Sequence, residues 1–277
     1  MNRITNSPIK LGVLGKSLPH TFSPEIHSSL LKLINIQGSY EVYEMNEQEV
    51  TGIIHFMKEN HITGLNVTIP YKEVLYRMMD VNSIHASAIG AVNTVLFKDN
   101  ITYGFNTDYL GVLSMFHKAG VSLKGKSIVL LGCGGAARAL VYAFYLDGAD
   151  SITIAARNEH SASLLQKQFP FTKICSMDDI PAGDVIINAT PVGMFPDTEK
   201  SPVSENIIKQ FHIAADIVYN PTITEFLKIA ENAGLKTIAG LTMLIDQAVA
   251  SEEIWLDRKI NNEIAEQLHH KISSQFD

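Results

Sequence analysis

The chain has 277 residues, of which 46% are hydrophobic and 18% charged, so it can bury a sizeable core and disorder is not expected. Its formal net charge of −7 and pI near 5.8 argue against nucleic acid or an anionic membrane as a partner, because both require a basic surface. Small anionic ligands stay open, because a few local groups are enough to hold them.

Cysteine and histidine usage narrows the class further. Cys133 and Cys175 give no disulfide framework and fit a reducing, cytoplasmic location. The N-terminal segment lacks an uninterrupted apolar stretch, so no secretory signal is predicted, and no apolar run approaches the ~18 residues of a membrane span. The histidines show no metal-ligand spacing, so no metal site is predicted.

The first half of the chain alternates strand-like and helix-like segments, which predicts an α/β fold. Strands are predicted in IKLGVLG, GSYEVYEMN and ITGLNVTIP, with helices at about 25–35, at 47–60 and over KEVLYRMMD. The alternation of Val67, Ile69 and Tyr71 predicts a short half-buried strand that Pro70 ends. AVNTVLFKDNITYGFNTD predicts a hairpin that turns at Asp99-Asn100.

The second half begins with a clearer pattern. From residue 126, KSIVLLGCGGAARALVYAFYLDGADSITIAAR reads as strand, glycine-rich turn, helix and strand, a βαβ unit of about the expected ~30 residues. Further strands are predicted in GDVIINATPVGM, HIAADIVYN and LKTIAG, and a helix is predicted to end at Gly234. Residues 242–275 show helical spacing of apolar side chains.

The glycine-rich turn predicts nucleotide binding. It matches G-x-G-x-x-G/A with Gly132, Cys133, Gly134, Gly135, Ala136 and Ala137. Glycines let the chain turn tightly and let the backbone approach a pyrophosphate, and the helix N-terminus offers N–H groups to the phosphates. The alternative is a tight turn without a ligand. Cys133 is expected to fill a small space rather than to react.

The end of the second strand of this unit indicates which dinucleotide binds. Arg157 stands where an arginine can meet a 2′-phosphate, and the first acidic residue, Glu159, comes two positions later. NADP is therefore favoured, while Glu159 keeps NAD open because a small loop shift brings it to the ribose.

Polar residues of the first half fall at the ends of strand-like segments, where open α/β sheets bind ligands. They are Thr21, Ser23, Thr68, Lys72, Asn93 and Asp108. Each also has a structural interpretation: a solvated lysine, a turn, or a helix cap. Together they can hydrogen-bond a polyhydroxylated ligand, and a lysine near a carboxylate can deliver a proton to a carbonyl oxygen as hydride arrives.

Eight stretches, spread over residues 20–248, resemble the shikimate dehydrogenase family. In chain order they are HTFSPEIH, GLNVTIPYKE, GAVNT, GFNTD, GCGGAAR, NATPVGM, DIVYNP and GLTMLIDQA. The resemblance implies NADP-dependent, reversible reduction of 3-dehydroshikimate to shikimate, a step of aromatic amino-acid biosynthesis. It also implies two domains: an α/β substrate domain of residues 1–108 and 242–277, and a Rossmann-type doubly wound domain of residues 109–241.

The resemblance also implies residue roles. Lys72 would be the proton donor and acceptor, and Asp108 would bind a ring hydroxyl and position the lysine. Substrate contacts would further come from Thr21, Ser23, Thr68, Asn93, Tyr219 and Gln247. The cofactor would be held by Gly132, Cys133, Gly134, Gly135, Ala136, Arg157, Asn158, Thr190, Ile217 and Gly240.

Two positions depart from the family pattern. Thr21 stands where serine is common, which keeps the hydroxyl and adds a methyl group. Ser161 stands where a second phosphate-binding arginine is common, and the lost contact could weaken NADP preference by ~1.5–3 kcal/mol.

Three rival functions follow from the sequence. The nearest is an NAD-dependent quinate/shikimate dehydrogenase, which the missing arginine favours and Arg157 opposes. A rival from another class is a non-catalytic NADP-binding sensor, which would have no reason to keep both Lys72 and Asp108. A dehydrogenase acting on a folate or amino acid is opposed by HTFSP and FNTD. The expected partner is a small molecule, and the expected assembly is a monomer or homodimer.

Overall fold

The computed structural model describes residues 8–19 and 21–275. These residues form two compact units, one made of the chain up to Thr107 together with Ile245–Gln275, the other of Asp108–Leu244. The predicted domain limits follow residues 108 and 241, whereas the structural ones follow Thr107 and Leu244. Residues 1–7, 20 and 276–277 of the predicted substrate domain lie outside the described residues.

The first unit contains a mixed sheet. Its strands, within the described residues, are β1 (Ile9–Gly15), β2 (Gly38–Glu44), β3 (Gly64–Val67), β4 (Val81–Asn82), β5 (Thr94–Lys98) and β6 (Ile101–Phe105), in the order β2-β1-β3-β5-β6-β4. β1 runs parallel to β2 and β3, β5 runs antiparallel to β3 and β6, and β4 runs parallel to β6. The carboxyl ends of β1, β3 and β6 and the amino end of β5 therefore share one edge, here called the ligand edge.

The second unit contains a fully parallel sheet. Its strands are β7 (Ser127–Leu131), β8 (Ser151–Ala155), β9 (Lys173–Cys175), β10 (Val185–Asn188), β11 (Ile213–Asp216) and β12 (Lys236–Ile238), in the order β12-β11-β10-β7-β8-β9. Every pairing is parallel. Counted from β7, this is the 3-2-1-4-5-6 order of doubly wound nucleotide-binding folds. The predicted fold class is confirmed.

The helices connect these strands. They are α1 (Ser23–Leu33), α2 (Ile53–Glu59), α3 (Lys72–Met78), α4 (Ile84–Ile89), α5 (Asp108–Lys118), α6 (Ala137–Leu146), α7 (Glu159–Gln168), α8 (Glu205–Ile208), α9 (Glu225–Asn232), α10 (Leu241–Leu256) and α11 (Asn262–Ser273). A 3-10 helix, Glu49–Gly52, precedes α2, so the predicted helix over 47–60 is shorter and divided. The predicted helical tail is also divided, because Asp257 has φ 50 after α10. In the part of the chain that the structure covers, no helix is long and apolar enough to cross a bilayer.

Side chains of the first sheet pack on both of its faces. Leu11 and Val13 join a buried cluster with Tyr40 and Trp255, whereas Leu14 joins a separate cluster that includes Leu65. Successive residues of a strand point to opposite faces, which explains why β1 contributes to both clusters. The second unit has its own core, so each unit has the buried apolar side chains that an independent fold requires.

The predicted half-buried strand over Val67, Ile69 and Tyr71 is wrong. β3 ends at Val67 and is buried along its whole length, because β1 and β5 flank it, an apolar cluster covers the face of Leu65 and Val67, and buried polar side chains cover the face of Asn66. Ile69 is 64% exposed in the turn that follows. Tyr71 is buried, and its hydroxyl donates to the Met45 carbonyl at 2.6 Å. The helix α3 begins at Lys72, so this lysine lies at the start of a helix rather than at the end of a strand.

A buried polar pair joins α1 to α10. Nδ1 of His27 lies 3.0 Å from Oε1 of Glu252, and both side chains are 0% exposed. The His27 ring stacks on Tyr40 with centroids 4.2 Å apart. Among the residues that the structure describes, Nε2 of His27 and Oε2 of Glu252 have no hydrogen-bond partner. The pair thus holds α10 against α1 through a single polar contact in an apolar setting.

Candidate active site

Three predicted site residues of the first unit lie at the ligand edge. Thr68 directly follows β3, and its N–H donates to the Leu14 carbonyl at 2.9 Å. Asn93 directly precedes β5, and its carbonyl accepts from Val67 N at 2.8 Å. The carbonyl of Lys72 accepts from Val92 N at 2.9 Å. The lysine at the start of α3 is therefore fixed next to the Asn93 segment.

The loop between β1 and α1 reaches the same edge. Ser23 is the first residue of α1, and its N–H donates to Oγ1 of Thr21 at 3.3 Å. The oxygen of Thr21 is thus used as an acceptor, while its hydroxyl hydrogen can still be donated. Two hydroxyls at a helix start are suited to an anionic group, because the N-terminal end of a helix favours negative charge.

Local hydrogen bonds fix the orientation of the Asn93 amide. Thr107 N lies 2.6 Å from Oδ1 of Asn93, and a backbone N–H can only donate, so the atom facing it must be the oxygen. Nδ2 of Asn93 then faces Oγ1 of Thr107 at 3.0 Å and Oε1 of Gln247 at 3.4 Å. Gln247 comes from α10, so the C-terminal part of the first unit contributes to the ligand edge.

Several buried polar residues next to Asn93 are absent from the predicted site. They are Asn66, Thr94, Thr107 and Ser251. Thr94 Oγ1 donates to Oδ1 of Asn93 at 2.9 Å. Of these four, only Asn66 could have been identified from the sequence. It is a polar residue within a predicted apolar strand, and a buried polar side chain needs hydrogen-bond partners.

Two further substrate candidates belong to the second unit. Asp108 is the first residue of α5, directly follows Thr107 in the chain and is 7% exposed. Tyr219 follows β11 and is half-buried, and burial raises the pKa of its hydroxyl. Tyr219 is therefore protonated at neutral pH and can donate a hydrogen bond.

The glycine-rich turn occupies the switch point of the parallel sheet, between the neighbouring strands β7 and β10. Gly132 has φ +97, and a Cβ there would lie 2.8 Å from Cγ2 of Thr190, which follows β10. At Gly134, a Cβ would have no atom within 4 Å, so the backbone is open to a ligand. This cradle fits a pyrophosphate, with the N-terminus of α6 directly behind it.

Cys133 is suited to packing. Its Sγ lies 3.9 Å from the Asn158 carbonyl, and burial raises the pKa of its thiol. The thiol form therefore dominates at neutral pH, which argues against a reactive thiolate.

The loop after β8 contains the residues predicted to read the adenosine side. Arg157 is exposed there. Asn158 caps α7, and its Oδ1 accepts from Ser161 N at 2.9 Å. Glu159 is the first residue of α7 and is exposed. Arg157 is therefore the one residue of this group that offers a cation to a phosphate.

Gly240 allows two loops of the second unit to approach closely. A Cβ at Gly240 would lie 2.6 Å from both the carbonyl carbon and the carbonyl oxygen of Ile217. Backbone atoms cannot move aside as a flexible side chain can, so only glycine fits here. The segments after β11 and β12 are thereby held together at the carboxyl edge of the sheet.

Asp216, at the end of β11, is a fully buried carboxyl. It accepts from Val218 N at 2.9 Å, from Thr224 Oγ1 at 2.7 Å and from Nδ2 of Asn188 at 3.0 Å. Burial outweighs these hydrogen bonds and raises the pKa of Asp216 from 3.8 to about 6. The folded protein therefore binds the Asp216 proton more tightly than the unfolded chain does.

This difference gives a pH prediction. The stability due to the protonated carboxyl of Asp216 is present below about pH 4 and is lost as the pH rises through about 6. The raised pKa corresponds to about 3 kcal/mol of unfolding free energy. Urea denaturation of the wild type and Asp216→Asn at intervals from pH 4 to 7 measures it. The stability of the variant relative to wild type is expected to rise with pH.

Asp184→Asn provides a control with the opposite sign. Ser127 N and Oγ donate to this carboxylate and hold its pKa below the usual value. The stability of Asp184→Asn relative to wild type should fall only where the wild-type carboxylate ionises, below about pH 5, and should then stay level up to pH 7. If the stability of the two variants relative to wild type changed with pH in the same direction, the raised pKa assigned to Asp216 would be contradicted.

Within residues 8–19 and 21–275, no group of three or more His, Cys, Asp or Glu side chains is placed to hold a metal ion. Cys133 and Cys175 are both free thiols.

Comparison with known proteins assigns the family. The family model for "Shikimate dehydrogenase substrate binding domain" matches residues 13–95, and that for "Shikimate / quinate 5-dehydrogenase" matches residues 114–243. A shikimate dehydrogenase (NADP(+)) of Clostridium perfringens is 40% identical over 267 residues, which cover 96% of this chain and 98% of that protein.

Solved structures agree with the sequence comparison. Shikimate dehydrogenase 1 of Peptoclostridium difficile matches with a TM-score of 0.89 at 39% identity, covering 97% of this chain and 99% of that chain. Shikimate 5-dehydrogenase of Thermus thermophilus, in complex with NADP(H) and shikimate, matches with a TM-score of 0.86 at 30% identity, covering 95% and 99%. By sequence and by fold, the chain belongs to the shikimate dehydrogenase family.

Proposed function

We propose that this protein is a shikimate dehydrogenase, which reduces 3-dehydroshikimate to shikimate with NADPH and catalyses the reverse oxidation with NADP. One observation carries the proposal. Thr68, Lys72, Asn93 and Gln247, from three separate parts of the chain, meet at one edge of the first sheet, in a chain that is 40% identical to a shikimate dehydrogenase (NADP(+)).

The ligand edge suits a polyhydroxylated acid. Hydroxyls of Thr21 and Ser23 at the start of α1 are assigned to the substrate carboxylate. Asn93, Gln247 and Thr68 are assigned to the ring hydroxyls, with Tyr219 as a further donor. Amide and hydroxyl groups serve this purpose because each can donate and accept.

Lys72 is assigned the proton transfer. As the alcohol is oxidised, its oxygen must lose a proton, and Lys72 in the amine form accepts it; in the reverse direction, the ammonium returns it. Asp108 is assigned to a ring hydroxyl and to orienting the lysine. Its burial, with 7% of its surface exposed, favours short polar contacts over solvation.

The second unit is assigned to NADP, which accepts or supplies the hydride when bound. Gly132, Cys133, Gly134, Gly135 and Ala136 would hold the pyrophosphate, because their backbone turns at the switch point in front of α6. Arg157 and the backbone around Asn158 would hold the 2′-phosphate. Thr190, Ile217 and Gly240 would line the path of the nicotinamide at the ends of β10, β11 and β12.

Replacing Arg157 with alanine is expected to raise KM for NADP by about 10- to 100-fold, because a hydrogen bond to a charged group is worth ~1.5–3 kcal/mol. KM for NAD should change much less, since NAD lacks the 2′-phosphate. Steady-state assays with both cofactors measure the ratio. Lys173→Ala, which removes an exposed cation from β9, is the matched control. Equal changes for NADP and NAD would exclude Arg157 as the phosphate ligand.

Absorbance at 340 nm, with shikimate or quinate and with NADP or NAD in all four pairs, tests the proposed function. Turnover mainly with shikimate and NADP is expected. Turnover mainly with quinate or NAD would favour the quinate/shikimate dehydrogenase, for which Ser161 in place of a second arginine is the supporting observation. No turnover in any pair would favour an NADP-binding sensor.

The proposed location of this enzyme is the cytoplasm, and its proposed assembly is a monomer or homodimer. Its proposed partners are small molecules, and neither nucleic acid nor a membrane is among them. The net charge of −7 supports the last point. Sedimentation of the purified protein distinguishes the two assembly states.

A further inference from the structure

A cluster of buried polar side chains lies behind Asn93 and Gln247. We define it as the hydroxyl cluster, and its members are Asn66, Thr94, Thr107 and Ser251. Thr94, Thr107 and Ser251 are 0% exposed. Burying hydroxyl groups is unfavourable unless each finds a partner, so every member of the cluster needs a hydrogen-bond partner within the protein.

Ser251 is the centre of this cluster. Its Oγ lies 2.9 Å from Oγ1 of Thr94 and 3.1 Å from Oγ1 of Thr107. It accepts from Nδ2 of Asn66 at 3.0 Å, and its one proton is shared between Oγ1 of Thr94 and the Gln247 carbonyl, which is 3.0 Å away. One hydroxyl on α10 therefore connects β3, β5, the end of β6 and its own helix.

The direction of the hydrogen bonds is determined from the far side of the cluster. The Tyr40 hydroxyl donates to Oδ1 of Asn66 at 2.7 Å, and burial raises the pKa of Tyr40, so that hydroxyl keeps its proton. Nδ2 of Asn66 must then face Ser251 and donate to it. Thr94 is left to donate its proton to Oδ1 of Asn93.

We propose that Ser251 is a positioning residue, which holds Asn93 and Gln247 in one fixed orientation toward the substrate through Thr94, Thr107 and the Gln247 carbonyl. The proposal rests on the proposed function, because it takes Asn93 and Gln247 as substrate ligands. Turning the Asn93 amide over would place Nδ2 against Thr107 N–H, two donors facing each other. The backbone N–H of Thr107 prevents this, and Ser251 fixes the Thr94 and Thr107 hydroxyls that hydrogen-bond to the same amide.

Two variants test the proposal in steady-state assays with shikimate and NADP. Ser251→Ala and Thr94→Val each remove one hydroxyl of the cluster. Both are expected to raise KM for shikimate by about three- to tenfold, the effect of one lost hydrogen bond. KM for NADP and kcat should stay within about twofold of wild type, since neither residue touches the cofactor or the reacting atoms.

Thr102→Val is the matched control. Thr102 is also a 0% exposed threonine on a strand of the same sheet, but its hydroxyl donates to Asp80 at 2.8 Å. It should lose stability without a selective change in KM for shikimate. If Ser251→Ala does not fold, the comparison of Thr94→Val with Thr102→Val decides the matter.

Ser251→Cys separates hydrogen bonding from packing, because the thiol fills the space but bonds weakly. It is expected to raise KM for shikimate as Ser251→Ala does; a wild-type KM in this variant would assign Ser251 to packing and overturn the proposal. Equal KM values in Thr94→Val and Thr102→Val would also overturn it. Wild-type protein that fails to oxidise shikimate would overturn the proposed function and the positioning role together.

Discussion

Lys72→Ala is expected to lower kcat for shikimate oxidation by about 10²- to 10⁴-fold, the usual contribution of a positioned acid or base. Transfer of hydride from an alcohol leaves a carbonyl only if the hydroxyl proton is removed. The alanine variant has no side chain at position 72 to accept that proton, and water must do so. KM for shikimate is expected to rise much less, because Asn93, Gln247 and the hydroxyls of α1 remain.

Initial rates at 340 nm, with saturating NADP and varied shikimate, give both constants. Lys58→Ala is the matched control, since Lys58 is an exposed lysine of α2 in the same unit. Asp108→Asn separates the two proposed roles: it should raise KM as well as lower kcat, because it removes a charged hydrogen-bond acceptor from the substrate hydroxyl. Activity of Lys72→Ala within a few-fold of wild type would remove Lys72 from the mechanism.

Glu252→Leu is expected to lower the unfolding free energy by about 3–5 kcal/mol, because breaking a buried polar pair leaves one partner without compensation. Glu252 supplies the one polar contact of the buried His27 side chain that the described residues provide. Leucine would surround the imidazole with apolar atoms and leave both of its nitrogens unpaired. Urea denaturation at one fixed pH measures the loss.

Adding His27→Phe to Glu252→Leu is expected to recover most of that loss. An apolar pair of similar volume is often as stable as the buried polar pair it replaces, and phenylalanine keeps a ring against Tyr40. Glu266→Leu on the exposed face of α11 should change stability by less than about 0.5 kcal/mol. A double variant less stable than Glu252→Leu would show that His27 contributes by packing alone.

Local sequence signals predicted the second unit well, because the motif and its structural context occupy a continuous segment. The glycine-rich turn, the strand before it and the helix after it are all neighbours in sequence. The hairpin at Asp99-Asn100 also forms, with both residues at positive φ, which asparagine and aspartate tolerate. The elements β4, α4, α7, α8 and β9 were not predicted, and all of them except α7 are too short to show a period.

The error at Val67–Tyr71 and the missing hydroxyl cluster have a common cause. Burial of β3 on both faces depends on strands and helices far away in sequence, so alternation is a poor guide there. Ser251 meets Thr94 across 157 residues and Thr107 across 144. No periodicity can indicate such a contact. Sequence could identify Asn93 as a candidate ligand, but not the residues that hold it.

The discontinuity of the first unit reverses the usual order of events during synthesis. Residues 108–244 are continuous and can fold as soon as they leave the ribosome, whereas the N-terminal sheet still lacks α10. Trp255 of that helix packs with Leu11 and Tyr40, and its Nε1 donates to the Val95 carbonyl at 2.9 Å. We therefore expect the nucleotide-binding half to reach its native state first, although N-terminal domains usually lead. In a nascent chain stalled after residue 244, the unit of residues 108–244 would be folded, whereas the N-terminal unit would be incomplete because most of α10 and all of α11 are not yet synthesised.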